Sequence, residues 1–188
     1  MAKISITYHS GFGHTEKVAF SIAEGAKNSG ADVNIIKVTD ISEKDWATLD
    51  ESDAIIFGAP TYMGGVSAEF KKFIDLSSTK WFQHKWKNKI AAGFTNSGSY
   101  SGDKLGALLQ LAINAAQHGM IWVGQAEMPP QSKGVEGPKS TDINRIGSFL
   151  GLMTQANNDS PEITPPAGDI ETAKIFGKRV AEIAAKLK

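Results

Sequence analysis

Residues 3–30 read KISITYHSGFGHTEKVAFSIAEGAKNSG, and three patterns follow one another in them. Residues 3–8 are a short, largely apolar run of the kind buried in a sheet. Residues 10–15 are a glycine-rich turn. In residues 15–29 the apolar Val18, Ala19, Ile22, Ala23 and Ala26 fall at helical spacing, and Asn28-Ser29-Gly30 provides a stop. A strand, a tight turn and a helix in immediate succession open a βα unit.

The same alternation continues along the chain. Residues 32–38 (DVNIIKV) predict a second strand and 43–49 a short helix. Residues 53–58 (DAIIFG) are almost wholly apolar, as expected of a strand covered on both faces. Val66, Phe70, Phe73 and Ile74 mark a helix over 66–76. Residues 89–94 (KIAAGF) predict a fourth strand, 105–118 a helix, 120–124 (MIWVG) a fifth strand, and 168–188 an amphipathic helix. Residues 126–166 are polar and rich in glycine and proline, and read as a long loop or insertion. The order specifies an α/β fold with a parallel sheet between helices. At 188 residues the chain is expected to be a single domain, 1–188.

In such sheets ligands bind beyond the carboxyl ends of the strands. The loops at those exits are chemically distinctive, whereas the strand entries are ordinary turns. After the first strand come Ser10, Gly11, Phe12, Gly13, His14 and Thr15. Backbone N–H groups at a helix start suit an anion, and the hydroxyls add donors without charge, a chemistry fitted to a phosphate monoester. Ser10 and Thr15 acting only as helix caps is the plain alternative. The string lacks the Gly-Lys-Ser/Thr of a P-loop. It approaches a dinucleotide fingerprint, but Glu16 stands where the third glycine belongs, although Asp40 lies near the position of a ribose-binding acid. After the third strand come Pro60, Thr61, Tyr62, Met63 and Gly64, with a flat aromatic surface. After the fourth come Thr95, Asn96, Ser97, Gly98, Ser99 and Tyr100, rich in small side chains. Three such loops at one end enclose one compact ligand, phosphate at one side and a flat ring at the other, better than they suit a dinucleotide.

Four pieces, YHSGFGHTEKVA, GAPTYMGGVSAEFKKFID, FTNSGSYSGD and QHGMIWVG, carry a family resemblance. The chain resembles the flavodoxin-like NAD(P)H:quinone oxidoreductases of the Trp-repressor-binding-protein type and the related NAD(P)H-dependent FMN reductases. The resemblance implies a flavodoxin-like three-layer sandwich with a five-stranded parallel sheet in the order 2-1-3-4-5. It implies FMN as cofactor, its phosphate at Ser10, Gly13, His14 and Thr15, and its ring against Pro60, Thr61, Tyr62, Met63, Gly64 and residues 95–100. It also implies NADH or NADPH as co-substrate, a quinone or similar acceptor, and a homodimer or homotetramer. His118 would approach the ring from a neighbouring loop or from another subunit; at a helix end it is equally suited to meeting the dipole. The chain departs from the family where Tyr100-Ser101-Gly102 stands in place of His-Gly-Gly, and where Tyr62-Met63 stands in place of Arg-Phe or Arg-Tyr. Both departures lie on the substrate side.

Composition removes other classes. Twenty basic residues balance twenty acidic ones, so neither nucleic acid nor a membrane surface is expected as a partner. The chain has no cysteine, which excludes thiolate chemistry and fits a reducing cytoplasm. It has no apolar leader and no membrane-length apolar run, which predicts a soluble, cytoplasmic protein. Its four histidines lack zinc-ligand spacing, so no metal is expected. With a flavin carrying the chemistry, no catalytic side chain is required. A flavodoxin-type electron shuttle is the rival, although such shuttles tend to be strongly acidic. Two apolar segments remain, 81–86 (WFQHKW) and 146–153 (IGSFLGLM). The second is expected to be buried against a symmetry mate, or else to pack on its own sheet as a short helix.

Overall fold

The structure, a computed structural model, describes residues 1–188. In chain order the elements are β1 (Lys3–Tyr8), α1 (His14–Asn28), β2 (Asp32–Lys37), α2 (Glu43–Glu51), β3 (Ala54–Tyr62), β4 (Gly65–Val66), α3 (Ala68–Leu76), α4 (Ser78–Phe82), β5 (Ile90–Ser97), α5 (Lys104–Gln117), β6 (Ile121–Trp122), β7 (Leu152–Gln155) and α6 (Ala167–Lys186). The main sheet runs β2-β1-β3-β5-β6, with every neighbouring pair parallel. Counting those five strands alone, this is the expected order 2-1-3-4-5.

Side-chain alternation along β3 divides the core. Ala54 and Ile56 point into a layer shared with Val18, Ile22 and Ala23 of α1 and Phe176 and Val180 of α6. Ile55, Phe57 and Ala59 point the other way, onto Trp46 of α2, Phe70 and Phe73 of α3, Trp86, and Leu108 and Leu111 of α5. Period-two strands between amphipathic helices therefore give three layers. Helix α2 starts at a capping box, in which Ser42 accepts from the Asp45 N–H (3.3 Å) and Asp45 accepts from the Ser42 N–H (2.9 Å).

Two expectations need correction. First, the fifth strand is in two pieces. After Ile121 and Trp122 pair with Ile90 and Ala91, the chain leaves at Gly124 and returns so that Leu152–Gln155 continue along the same edge of β5, Phe94 to Ser97. Trp122 Nε1 donates to the Leu150 carbonyl (2.7 Å), and the Gln125 N–H to the Phe149 carbonyl (2.9 Å), which closes the base of the excursion. Second, the apolar segment 146–153 packs on its own sheet without forming a helix: Leu152 and Met153 begin β7, and 146–151 are turn, bend and irregular backbone. Leu152 lies in one core layer, and Leu150 and Met153 lie against the other; Phe149 is its one exposed large apolar side chain. Its burial thus requires no symmetry mate. The aromatic segment 81–86 is split: Trp86 packs in the core, whereas Trp81 and Phe82 reach solvent. Trp86 is fixed by its Nε1–H to Asp50 (2.9 Å).

Candidate functional site

The carboxyl ends of the strands open into a cleft of about 500 Å³, a volume in the range of small-ligand sites. Ser10, Gly11, Phe12, His14 and Thr15 line it from the first loop, Pro60, Thr61 and Tyr62 from the second, and Asn96, Ser97 and Gly98 from the third. The three loops thus converge. A fourth, missed in the sequence, completes the wall with Ala156, Asn157, Asn158, Asp159 and Pro161. Leu152-Met153-Thr154 followed by the turn-forming Asn157-Asn158-Asp159-Ser160-Pro161 is the trace that marks it as another strand exit.

The first loop is held in an anion-binding form. Ser10 Oγ accepts from the Gly13 N–H (3.0 Å), so Ser10 does not cap the helix. Gly13 starts α1 with a left-handed backbone (φ 90°), and no side chain caps the helix. The first-turn N–H groups of His14, Thr15 and Glu16 have no partner within the helix, and His14 and Thr15 line the cleft at this end. Glu16 is turned away, accepting from the Tyr8 hydroxyl (2.5 Å). His14 donates from Nε2 to the Asp159 carbonyl (2.8 Å), tying the first loop to the fourth. A Cβ on Gly11 would come within 2.5 Å of the Tyr62 hydroxyl, so a larger residue at position 11 would displace the Tyr62 ring. Burial raises the Tyr62 hydroxyl pKa, helped by nearby Glu69; the phenol is neutral near pH 7. Thr61 and Thr95 share a hydroxyl hydrogen bond (2.7 Å) beneath the floor, and Thr154 donates to Asn96 Oδ1 (2.8 Å), fixing the amide at the wall.

Other expected residues stand elsewhere. Met63 and Gly64, both at positive φ (48° and 81°), are the two-residue turn between β3 and β4 and do not line the cleft. Thr95 is buried under the floor. Ser99 and Tyr100 are exposed and do not line the cleft; the Arg145 guanidinium stands 5.2 Å from the Tyr100 ring centre. Asp40 lies outside the cleft, in a short 3-10 turn after β2, which removes the main support for a dinucleotide. His118 is not brought to the cleft of its own chain either. It follows the last residue of α5, whose 14 residues rise ~21 Å from the third loop. There its ring stacks on Trp86 (4.4 Å between centres) and lines a second cavity of about 390 Å³ with Ser77, Trp81, Ile113 and Asn114. Ser77 donates its one proton to the Ile74 carbonyl (2.7 Å), so it accepts from His118 Nε2–H (2.9 Å). That leaves Nδ1 an acceptor with no partner, and Asn114 Nδ2 is a buried donor with none. Burial lowers the His118 pKa to about 4. No group of acidic, histidine or cysteine side chains suited to a metal ion is present.

Fold and cleft together define a flavodoxin-like α/β protein with a cleft at the strand exits that begins at the uncapped start of α1. The model of the NADPH-dependent FMN reductase family matches residues 9–131, and the chain belongs to that family. A relative named flavodoxin FldP, from Pseudomonas aeruginosa, is 41% identical over 187 residues, covering 100% of this chain and 99% of its own. A relative named NAD(P)H dehydrogenase (quinone), from Archaeoglobus fulgidus, is 32% identical over 209 residues with both chains fully covered. Among solved structures, a flavodoxin, WrbA-like protein from Agrobacterium tumefaciens is 42% identical, with a TM-score of 0.76 and both chains fully covered.

Proposed function

We propose that the chain is an FMN-dependent oxidoreductase that passes electrons from NAD(P)H to a quinone or a similar acceptor. The observation that carries the reading is the uncapped start of α1 at one end of a cleft whose wall contains no lysine or arginine. Such a site takes a phosphate through N–H and hydroxyl donors, each worth ~1.5–3 kcal/mol to a charged acceptor. Relatives named as NAD(P)H dehydrogenases and the family's own description support the choice of cofactor, donor and acceptor.

Ser10, Gly11, Phe12, His14 and Thr15 would hold the phosphate. Pro60, Thr61, Tyr62, Asn96, Ser97 and Gly98 would flank the ring, with Asn157 to Asp159 closing the remaining side. FMN held there would supply two-electron redox chemistry between the nicotinamide and the acceptor. The residues named would bind, orient and shield it. A titration tests the cofactor: FMN is expected to bind more tightly than riboflavin, and equal affinities would remove the phosphate reading. NAD(P)H oxidation in the presence of a quinone tests the activity.

One observation favours a second reading, an electron shuttle without substrate turnover: a relative with 41% identity carries the name flavodoxin. Negligible NAD(P)H oxidation with an accumulating one-electron-reduced flavin would establish it.

We further infer that a second copy covers the face of α5. Leu105, Leu109 and Ile113 form an exposed apolar stripe on it at i, i+4 and i+8. Ile113 also lines the second cavity, where His118 Nδ1 and Asn114 Nδ2 lack partners. No helix is long and apolar enough to cross a membrane; a cysteine-free chain using a nicotinamide donor fits the cytoplasm.

A further inference from the structure

Lys104, the first residue of α5, is fully buried, a rare state for a lysine. Its ammonium donates to Ser97 Oγ (2.9 Å) and to the Ser99 carbonyl (2.6 Å). Ser97 lines the cleft, so the charge sits one hydroxyl behind the wall. The contact is tightly built. Gly102 has a left-handed backbone (φ 51°), and a Cβ there would collide with Ser97 Oγ. The Ser97 hydroxyl is thus confined between the Gly102 backbone and the ammonium.

The charges around Lys104 do not cancel it. Asp169 of α6 faces it, but that carboxylate accepts from Arg145 Nε (2.7 Å) and Nη2 (3.1 Å) and from the Gln155 N–H (2.8 Å). Burial raises the Asp169 pKa, and these hydrogen bonds pull it back down. Arg145, itself buried, adds a like charge from the insertion. Two cations and one anion leave this buried cluster one positive charge in excess. Burial accordingly lowers the Lys104 pKa to about 8, with Asp169 opposing and Arg145 adding to the shift. At pH 7 the ammonium is still charged. A buried charge with incomplete compensation is unfavourable to the fold, and a loop could be held by neutral groups.

We propose that Lys104 is a positioning residue that fixes the third loop through Ser97 and Ser99 and lends the cleft a positive charge favouring the reduced over the oxidised cofactor. The inference rests on FMN occupying the cleft. The two-electron-reduced flavin carries one more negative charge than the oxidised form near neutral pH, and a cation in a low-dielectric wall acts on that difference.

The test compares Lys104→Met, Lys104→Gln and Lys104→Arg with the wild type. FMN affinity is read by quenching of flavin fluorescence, and the midpoint potential by equilibration with redox dyes. In the Met and Gln variants, affinity for reduced FMN is expected to fall about tenfold relative to oxidised FMN. For a two-electron couple that lowers the potential by ~30 mV. Lys104→Arg keeps the charge and is expected to keep the potential. If Lys104→Met does not fold, the Gln–Arg pair decides. Equal losses for both redox states in the neutral variants, with the potential unchanged, would overturn the proposal and leave Lys104 a loop brace. A wild type that binds no FMN overturns the reading of the cleft itself, which is a separate outcome.

Discussion

Thr15 serves the helix start and the cleft at once. It lies in the first turn of α1 and also on the cleft wall. A carboxylate there suits the helix dipole but occupies the place read as the phosphate site. Thr15→Glu is therefore expected to weaken FMN binding at least a hundredfold in a fluorescence titration and, because Thr15 is buried, to lower the melting temperature of the flavin-free protein as well. A variant that retains its flavin would make Thr15 part of the helix start and nothing more. His118 belongs to a different property. Its folded pKa, about 4, lies below the unfolded value of ~6.5, so the unfolded chain binds the extra proton between those values. The stability contributed by neutral His118 is complete above pH ~6.5 and is lost as pH falls towards ~4, with a slope of at most ~1.4 kcal/mol per pH unit. Urea unfolding at a series of pH values should show it, and His118→Gln should flatten it. Burial lowers the His9 pKa too, so part of the slope should persist. An unchanged slope in the variant would assign the acid sensitivity elsewhere.

Between elements, the closest packing is between α1 and α6. A Cβ on Gly25 would overlap the Lys174 carbonyl, and one on Gly177 the Ile22 carbonyl. The two backbones meet where both side chains are absent. Gly25→Ala improves helix propensity by ~1 kcal/mol but drives α1 against a backbone that cannot turn aside as a side chain would. Overpacking of ~1–3 kcal/mol is expected to prevail, lowering the urea midpoint; a rise in midpoint would mean that α6 shifts freely. These helices were legible from the sequence, because a 3.6-residue apolar period is a local property. Their glycine contact was not, since it depends on which turns of two distant segments face each other. The split fifth strand is similar. β6 is only two residues long, and β7 follows a segment whose glycines and prolines read as loop. Only the free edge of β5 makes Leu152–Gln155 a strand.

At the scale of the whole molecule, the cleft is built by one chain, but one face of α5 is left apolar and open. Light scattering at micromolar concentration is expected to find a homodimer or homotetramer. Ile113→Lys places a charge in the middle of the stripe and should yield a monomer that keeps its FMN affinity, because no cleft residue is touched, and loses most of its quinone turnover. A monomeric wild type with full NAD(P)H:quinone activity would sink the oligomer reading. Net charge near zero fits small neutral acceptors better than docking by opposite charge.

The sequence by itself determined the alternation of strands and helices, the strand order implied by its family resemblance, and the three exit loops. Each depends on short-range features: apolar period, turn residues and N–H groups at a helix start. Within those loops it identified eleven residues of the cleft wall. Tertiary structure alone decided the rest. Asn96 and Thr154 meet across 58 residues of sequence, bringing a fourth loop to the cleft. It separated His118 from the cleft of its own chain by the length of α5, although both belong to segments matching one family. It also buried Lys104 behind Ser97, a contact that no local pattern marks. Local pattern fixes which residues form an element and which face is apolar. Where those elements stop, and what they trap between them, depends on pairings that carry no local pattern.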